Sequence, residues 1–182
     1  MAALAKLCSD TTLAWRFFVT FQYKHIQSPL GRILIAANEE GLTGLWFDQQ
    51  KHHPNSDAWH QVTSQIWLDQ CEIEIKAYFD GGLCEFKTPL SVTWGTEFQK
   101  TVWQVLKQIP LGETVSYGEV ARRLIKSKAF RAVGAAVGKN PWSIVVPCHR
   151  VVGANASLTG YAGGLERKRS LLLLEKSYLC NL

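Results

Sequence analysis

Hydrophobic and polar positions follow two different rhythms in this chain. Up to about residue 92 the apolar residues come in short runs bounded by turn formers. "RFFVTFQYKH" (16–25) predicts a strand running towards the turn signal "SPLG" (28–31), and "RILIAAN" and "LTGLWF" (32–38, 42–47) flank Glu39-Glu40-Gly41. That arrangement predicts a β-hairpin in which Gly41 takes a positive φ. A helix is expected over much of Ala58–Phe79, with Ile66, Cys71, Ile75, Tyr78 and Phe79 on one side and Asp80-Gly81-Gly82 ending it. "CEFKTPLSV" (84–92) reads as a last strand, and the Trp and Phe residues of this half read as core.

From about Thr93 the period becomes helical. Thr96 and Gln99 form a capping-box pair. Phe98, Val102, Val105, Leu106 and Ile109 then share a helix face that Pro110-Leu111-Gly112 terminates. "SYGEVARRL" (116–124) opens on a second S-x-x-E pair, Ser116 and Glu119. After Lys126-Ser127-Lys128, "AFRAVGAAVG" (129–138) places Ala129, Ala132, Val133, Ala136 and Val137 on one side. Two short helices joined by a few residues read as a helix-turn-helix, with Arg131 at the start of the second, where such motifs touch DNA. The small residues Gly134, Ala135 and Ala136 suit either close approach to another backbone or tight packing of a neighbouring helix. Asn140-Pro141 breaks the helix and sends the chain extended into "IVVPCHRVVG" (144–153).

Composition narrows the class without naming an activity. The chain has 182 residues, 47% apolar and 19% charged, which fits a soluble globular protein of one or two domains. No apolar run approaches the ~20 residues of a membrane span. Arg16 interrupts the apolar stretch near the N-terminus, which argues against a signal peptide, so residues 1–20 are expected to be an extension. Five widely spaced cysteines without a C-x-x-C pair argue for a reducing, cytoplasmic setting and against a disulfide scaffold or a metal site. Charge is uneven: residues 1–91 carry 7 Lys and Arg against 10 Asp and Glu, residues 92–182 carry 13 against 5. A basic half bearing paired helices points to a polyanion, and nucleic acid is the commonest one.

The candidate chemistry lies at Cys148. A thiol becomes a nucleophile as the thiolate, which a neighbouring imidazole can generate and a carboxylate can in turn orient. His149 adjoins Cys148, and Glu175 follows within "RSLLLLEKS" (169–177). Neighbours on an extended backbone point to opposite sides, so the pair needs a turn or a bridging water to cooperate. Residue chemistry alone leaves a buried, inert thiol and a nucleophile both open.

Four ordered motifs decide between them. "SYGEVA" (116–121), "RAVGAAVGKNP" (131–141), "PCHRVV" (147–152) and "TGYAGG" (159–164) resemble the O6-alkylguanine-DNA alkyltransferases, in family order and spacing across roughly residues 94–176. The resemblance implies an α/β N-terminal domain of ribonuclease H-like type over 21–92. It also implies a mainly α C-terminal domain over 93–182, with a winged helix-turn-helix-like motif. It implies irreversible transfer of the alkyl group from guanine O6, and less securely from thymine O4, to Cys148. No cofactor and no metal would be needed, and the partner would be double-stranded DNA holding an alkylated guanine, bound by a monomer. His149 would act through a water as base, oriented by Glu175; Tyr117 would donate to the guanine ring; Asn140 would tie the preceding turn. Arg131 would fill the space left by the extruded base, with Tyr117, Gly118, Lys126, Gly134 and Ala135 on the DNA side. Val151, Tyr161, Ala162 and Val137 would border the guanine pocket. The chain departs from the family at Ile125–Lys128, where Gly and Pro are common, and at Phe130 and Ala156, which stand where smaller residues are usual. A non-catalytic lesion binder and a cysteine hydrolase are the rival readings. The first would gain no mass at Cys148, and the second would turn over repeatedly.

Overall fold

The structure is a computed structural model that describes residues 21–83, 85–124 and 130–179. Residues 16–20 of the first expected strand, Ala129 and the Lys126 turn fall outside them. Strands β1 (Gln22–Ile26), β2 (Ile33–Ala37) and β3 (Leu42–Phe47) form an antiparallel meander. The β2–β3 hairpin turns as expected. Asn38 Oδ1 accepts from the Glu40 and Gly41 amides, and Gly41 has φ +154° with Pro89 O only 2.4 Å from where a Cβ would stand. Every residue of β2 and β3 is buried because both sheet faces are covered. Ile33, Ile35, Leu45 and Phe47 enter the main core, while Leu34, Ala36 and Trp46 pack beneath Tyr23 and Trp59.

The helix expected from Ala58 begins later. His60–Gln61 instead form β4, parallel to β1 and giving the order β3-β2-β1-β4, with the His60 amide donating to Phe21 O. The free edge of β1 takes these amides, and the Trp59 ring is held against Phe21, Trp46 and Trp94. Helix α1 (Ile66–Phe79) starts where the Gln65 side chain accepts from the Trp67 and Leu68 amides. This register exposes Ile66 and buries Leu68, Cys71, Glu74, Ile75 and Tyr78. Glu74 explains why residues 85–92 of "CEFKTPLSV" form no strand. Its carboxylate takes the Lys87 and Thr88 amides and the Thr88 hydroxyl, and Pro89 has no N–H, so one bridge (Leu42–Leu90) is all that forms.

In the second half α2 (Glu97–Lys107) carries the complete Thr96–Gln99 capping box and ends at Gln108, before the proline. A two-residue β5 (Val115–Ser116) leads into α3 (Tyr117–Arg123), followed by α4 (Phe130–Gly138). The Ser116 hydroxyl caps Glu119 as expected, but the Glu119 carboxylate turns to Arg122 and Arg123 instead of closing the box. On α4, Val133, Ala136 and Val137 are buried, whereas Ala132 is exposed, contrary to expectation. The last elements are β6 (Val151–Val152), parallel to β5, and α5 (Leu165–Leu179).

The two halves share one core. Trp142 Nε1 donates 2.8 Å to Leu42 O, and the 141–143 backbone pairs with Leu45 at the edge of β3. The segment leading to Cys148 is therefore laid along the N-terminal sheet, and Leu42, Leu45, Trp103, Trp142 and Cys148 belong to one cluster. Among the described residues no helix is long and apolar enough to cross a membrane. Glu74→Ala strands buried amides, so chemical denaturation should show a loss of about 2 kcal/mol, with Glu74→Gln recovering part of it.

Candidate active site

The segment before Cys148 is held by Asn140. Its amide nitrogen donates to Trp142 O (3.2 Å) and Val146 O (2.8 Å), and its carbonyl accepts from the Trp142 amide (3.1 Å). This tie supports a strained point: Ile144, β-branched, has φ +71°. Such strain costs of order 1–3 kcal/mol and persists only where the surroundings over-determine it. Pro147 then leads into a single 3₁₀ turn over Cys148–Arg150. That turn supplies the bend an extended chain lacked. Cys148, His149 and Arg150 are all buried, at 4%, 0% and 8% exposure.

Glu175 is what they are buried against. Oε1 lies 2.8 Å from His149 Nε2 and accepts from Tyr78 OH and Arg150 Nη2, each at 2.8 Å; Oε2 accepts from Arg150 Nε (2.9 Å) and the Gly112 amide (3.2 Å). Arg150 spends its remaining fork on Ile109 O. Burial alone would raise this carboxyl's pKa, but His149 and Arg150 outweigh it and hold the carboxyl well below its usual range. An ionised carboxylate only accepts, so His149 Nε2 carries the proton and Nδ1 is left with its lone pair. Nδ1 is buried and has no hydrogen-bond partner in the described structure. Burial pulls the His149 pKa down against the pull of Glu175, so the imidazole is neutral near pH 7.

Burial likewise pushes the Cys148 thiol up, while Asn140 and Lys168 draw it back. Lys168 went unnoticed in the sequence. It is fully buried, and its ammonium donates to Val151 O (2.5 Å), Thr159 O (2.7 Å) and Gly160 O (3.4 Å). Burial lowers it to about 8, although the nearby Cys148 favours its charge. Its signal was positional: Lys168, Leu171 and Glu175 lie on one face of α5, and that face turns inward. Tyr117 OH donates to the same loop, at Gly160 O (3.1 Å) and more weakly Thr159 O (3.4 Å). Burial, then Cys148, raises the Tyr117 pKa, leaving a neutral phenol that can give a proton. Two glycines of "TGYAGG" are required here. Gly160 has φ +46°, and a Cβ on Gly163 would stand 2.6 Å from the Tyr161 ring.

The remaining candidates separate by exposure. Arg131, Ala135 and Gly118 are exposed, Gly134 is half-buried beside the Tyr117 ring, and Ala136 packs inward. Val137, at 3% exposure, lies in the core. Val151 is also buried; its carbonyl is taken by Lys168, and that of Ala162 by the Lys51 amide. Tyr161 is half-buried beside Cys148, with a buried hydroxyl. Lys126 lies outside the described residues. Among the described residues no three His, Cys, Asp or Glu side chains gather as a metal site.

Comparison with known proteins bears on both halves. Residues 21–92 match the family model for the 6-O-methylguanine DNA methyltransferase ribonuclease-like domain, and residues 97–177 match that for its DNA binding domain. The chain is 47% identical over 156 residues to a methylated-DNA–protein-cysteine methyltransferase of Methanosarcina acetivorans, covering 85% of this chain and 98% of the relative. Against the protein of that name from Haemophilus influenzae the identity is 43%, over 85% of this chain and 86% of the relative. The crystal structure of Mycobacterium tuberculosis OGT in complex with DNA superposes with a TM-score of 0.80 at 44% identity, covering 86% of this chain and 94% of that one.

Two outcomes follow from the electrostatics. Because the folded-state pKa of Glu175 is depressed, its contribution is complete above the ordinary carboxyl value of 4.5 and is lost as pH falls below it. Glu175→Gln should flatten that acid limb in denaturation curves and cost about 3–5 kcal/mol at pH 7, since it leaves Arg150 buried and unpaired. Iodoacetamide labelling should show Cys148 titrating above the ordinary thiol value of 9.0, and Lys168→Met should move that midpoint further up.

Proposed function

The chain belongs to the 6-O-methylguanine DNA methyltransferase (methylated-DNA–protein-cysteine methyltransferase) family, and from that footing we propose that it repairs DNA by taking the alkyl group of O6-alkylguanine onto Cys148. The observation that carries the reading is the pairing of a buried thiol with a neutral, proton-accepting His149 Nδ1, oriented by an ionised Glu175. In the step proposed, the sulfur attacks the alkyl carbon in line, an S–C bond forms, and the C–O6 bond breaks with its electrons passing to the guanine. The thiol proton leaves through a water to His149, and the neutral Tyr117 phenol supplies a proton or hydrogen bond to the ring. The net change moves one proton from sulfur to guanine and one alkyl group the other way. The thioether is stable, so each molecule acts once, with no cofactor.

A stacked base cannot reach a thiol only 4% exposed, so the target is extruded from the duplex at a cost of a few kcal/mol. Arg131, exposed at the start of α4, is suited to fill the gap, with Gly134 and Ala135 allowing the helix to lie close in the minor groove. That groove carries a degenerate code, so binding is nonspecific and salt-dependent. We read residues 21–92 as a ribonuclease H-like structural domain and residues 93–182 as a winged helix-turn-helix-like domain, in a cytoplasmic monomer. The β3-β2-β1-β4 order and the β5–β6 ladder beside α3 support this division.

The test is a duplex oligonucleotide containing O6-methylguanine. Wild-type protein should gain the mass of one methyl group at Cys148 and stop after one equivalent; Cys148→Ala should gain none, and Tyr117→Phe should slow transfer about 100-fold. A lesion left intact, or repeated turnover, overturns the reading.

A further inference from the structure

The outward face of α4 is smooth except at one end. Its exposed positions are Phe130, Arg131, Ala132 and Ala135, with Gly134 and Gly138 half-buried, and a Cβ built on Gly138 meets nothing within 4 Å. The only large side chains on that face stand together at the N-terminal end. Of the large hydrophobic side chains exposed among the described residues, Phe130 is the one aromatic, at 51% exposure. The Arg131 guanidinium carbon lies 5.9 Å from its ring centroid, within cation–π range. The helix buries Val133, Ala136 and Val137 without needing Phe130.

We propose that Phe130 is a second side chain that enters the duplex, wedging between base pairs beside the extruded guanine while Arg131 occupies the vacated stack. This rests on the DNA-alkyltransferase reading and extends it to the residue beside Arg131. Apolar wedges of this kind unstack a base step and kink the duplex from the minor groove, and a phenyl ring offers any base a π-face to stack on. The cation–π contact gives Phe130 and Arg131 a shared orientation before DNA arrives. The smooth remainder of α4 lets the helix close on the groove floor until this pair meets the bases. Phe130 touches neither the substrate carbon nor the thiol. It acts as a positioning residue, which lowers the cost of opening the duplex and leaves the pocket chemistry alone.

The experiment compares wild type, Phe130→Ala, Phe130→Leu and Phe130→Trp on two substrates: duplex O6-methylguanine, and free O6-benzylguanine, which needs no base extrusion. Single-turnover rates on the duplex should fall roughly 10–100-fold for Phe130→Ala, less for Phe130→Leu, and little for Phe130→Trp. Rates on the free base should stay within about twofold, with an unchanged melting temperature because the side chain is exposed. In a Cys148→Ala background, a 2-aminopurine next to the lesion should brighten on binding when Phe130 is present and stay dim in Phe130→Ala. Unchanged or faster duplex transfer by Phe130→Ala overturns the proposal, as does an equal loss on both substrates or 2-aminopurine brightening that ignores Phe130. If wild type transfers nothing yet brightens 2-aminopurine through Phe130, the transfer chemistry falls and the wedge stands.

Discussion

A carboxylate placed in an apolar interior must be surrounded by donors, and Glu175 meets that requirement from four directions. Tyr78 comes from the N-terminal helix, the Gly112 amide from the turn after α2, and His149 and Arg150 from the nucleophile's own turn. The donors come from three separate stretches of chain, so satisfying one charge fixes where all of them meet. A buried ion pair of this kind adds little net stability compared with apolar packing, but removing one partner is costly. Its value here is positional: the imidazole can only be held with Nε2 protonated, and that leaves Nδ1 free to accept.

The groups proposed to react are kept neutral by burial in the same way. Cys148, His149 and Tyr117 all shift towards their uncharged forms because the site is dry, and the permanent charges beside them, Arg150 and Glu175, cancel at short range. Lys168 is the exception. A cation with three carbonyl partners near the sulfur gives the thiolate a counter-charge that needs no rearrangement when it forms.

Local patterns were legible where one or two residues determine the outcome. The β2–β3 hairpin followed from Gly41 and the start of α2 from Thr96 and Gln99, while the Cys-His pair left a turn and a bridging water both open until the 3₁₀ turn over Cys148–Arg150 was seen. What the sequence concealed depended on distant partners. The start of α1 moved because β1 had an unpaired edge and Trp59 had aromatic neighbours. The strand expected over 84–92 was lost to Glu74, a buried acid that no periodicity reveals. On α5 the inward stripe is Lys168, Leu171 and Glu175, two charges and one leucine, so a reading based on apolar faces points the helix the wrong way. Ser116 and Glu119 had the spacing of a capping box, yet two arginines one turn later offered the carboxylate stronger partners.

The order of residues along the chain gives the hub a bearing on biosynthesis. His149, beside Cys148, leaves the ribosome 26 residues ahead of Glu175, and domains generally fold from the N-terminus during synthesis. In a nascent or interrupted chain the sulfur is already present, but His149 lacks the anchor that fixes its tautomer, and Lys168 is still to come. Translation therefore makes the thiol before it makes the device proposed to activate it. A molecule that can act only once is spared from spending its sulfur before it is complete.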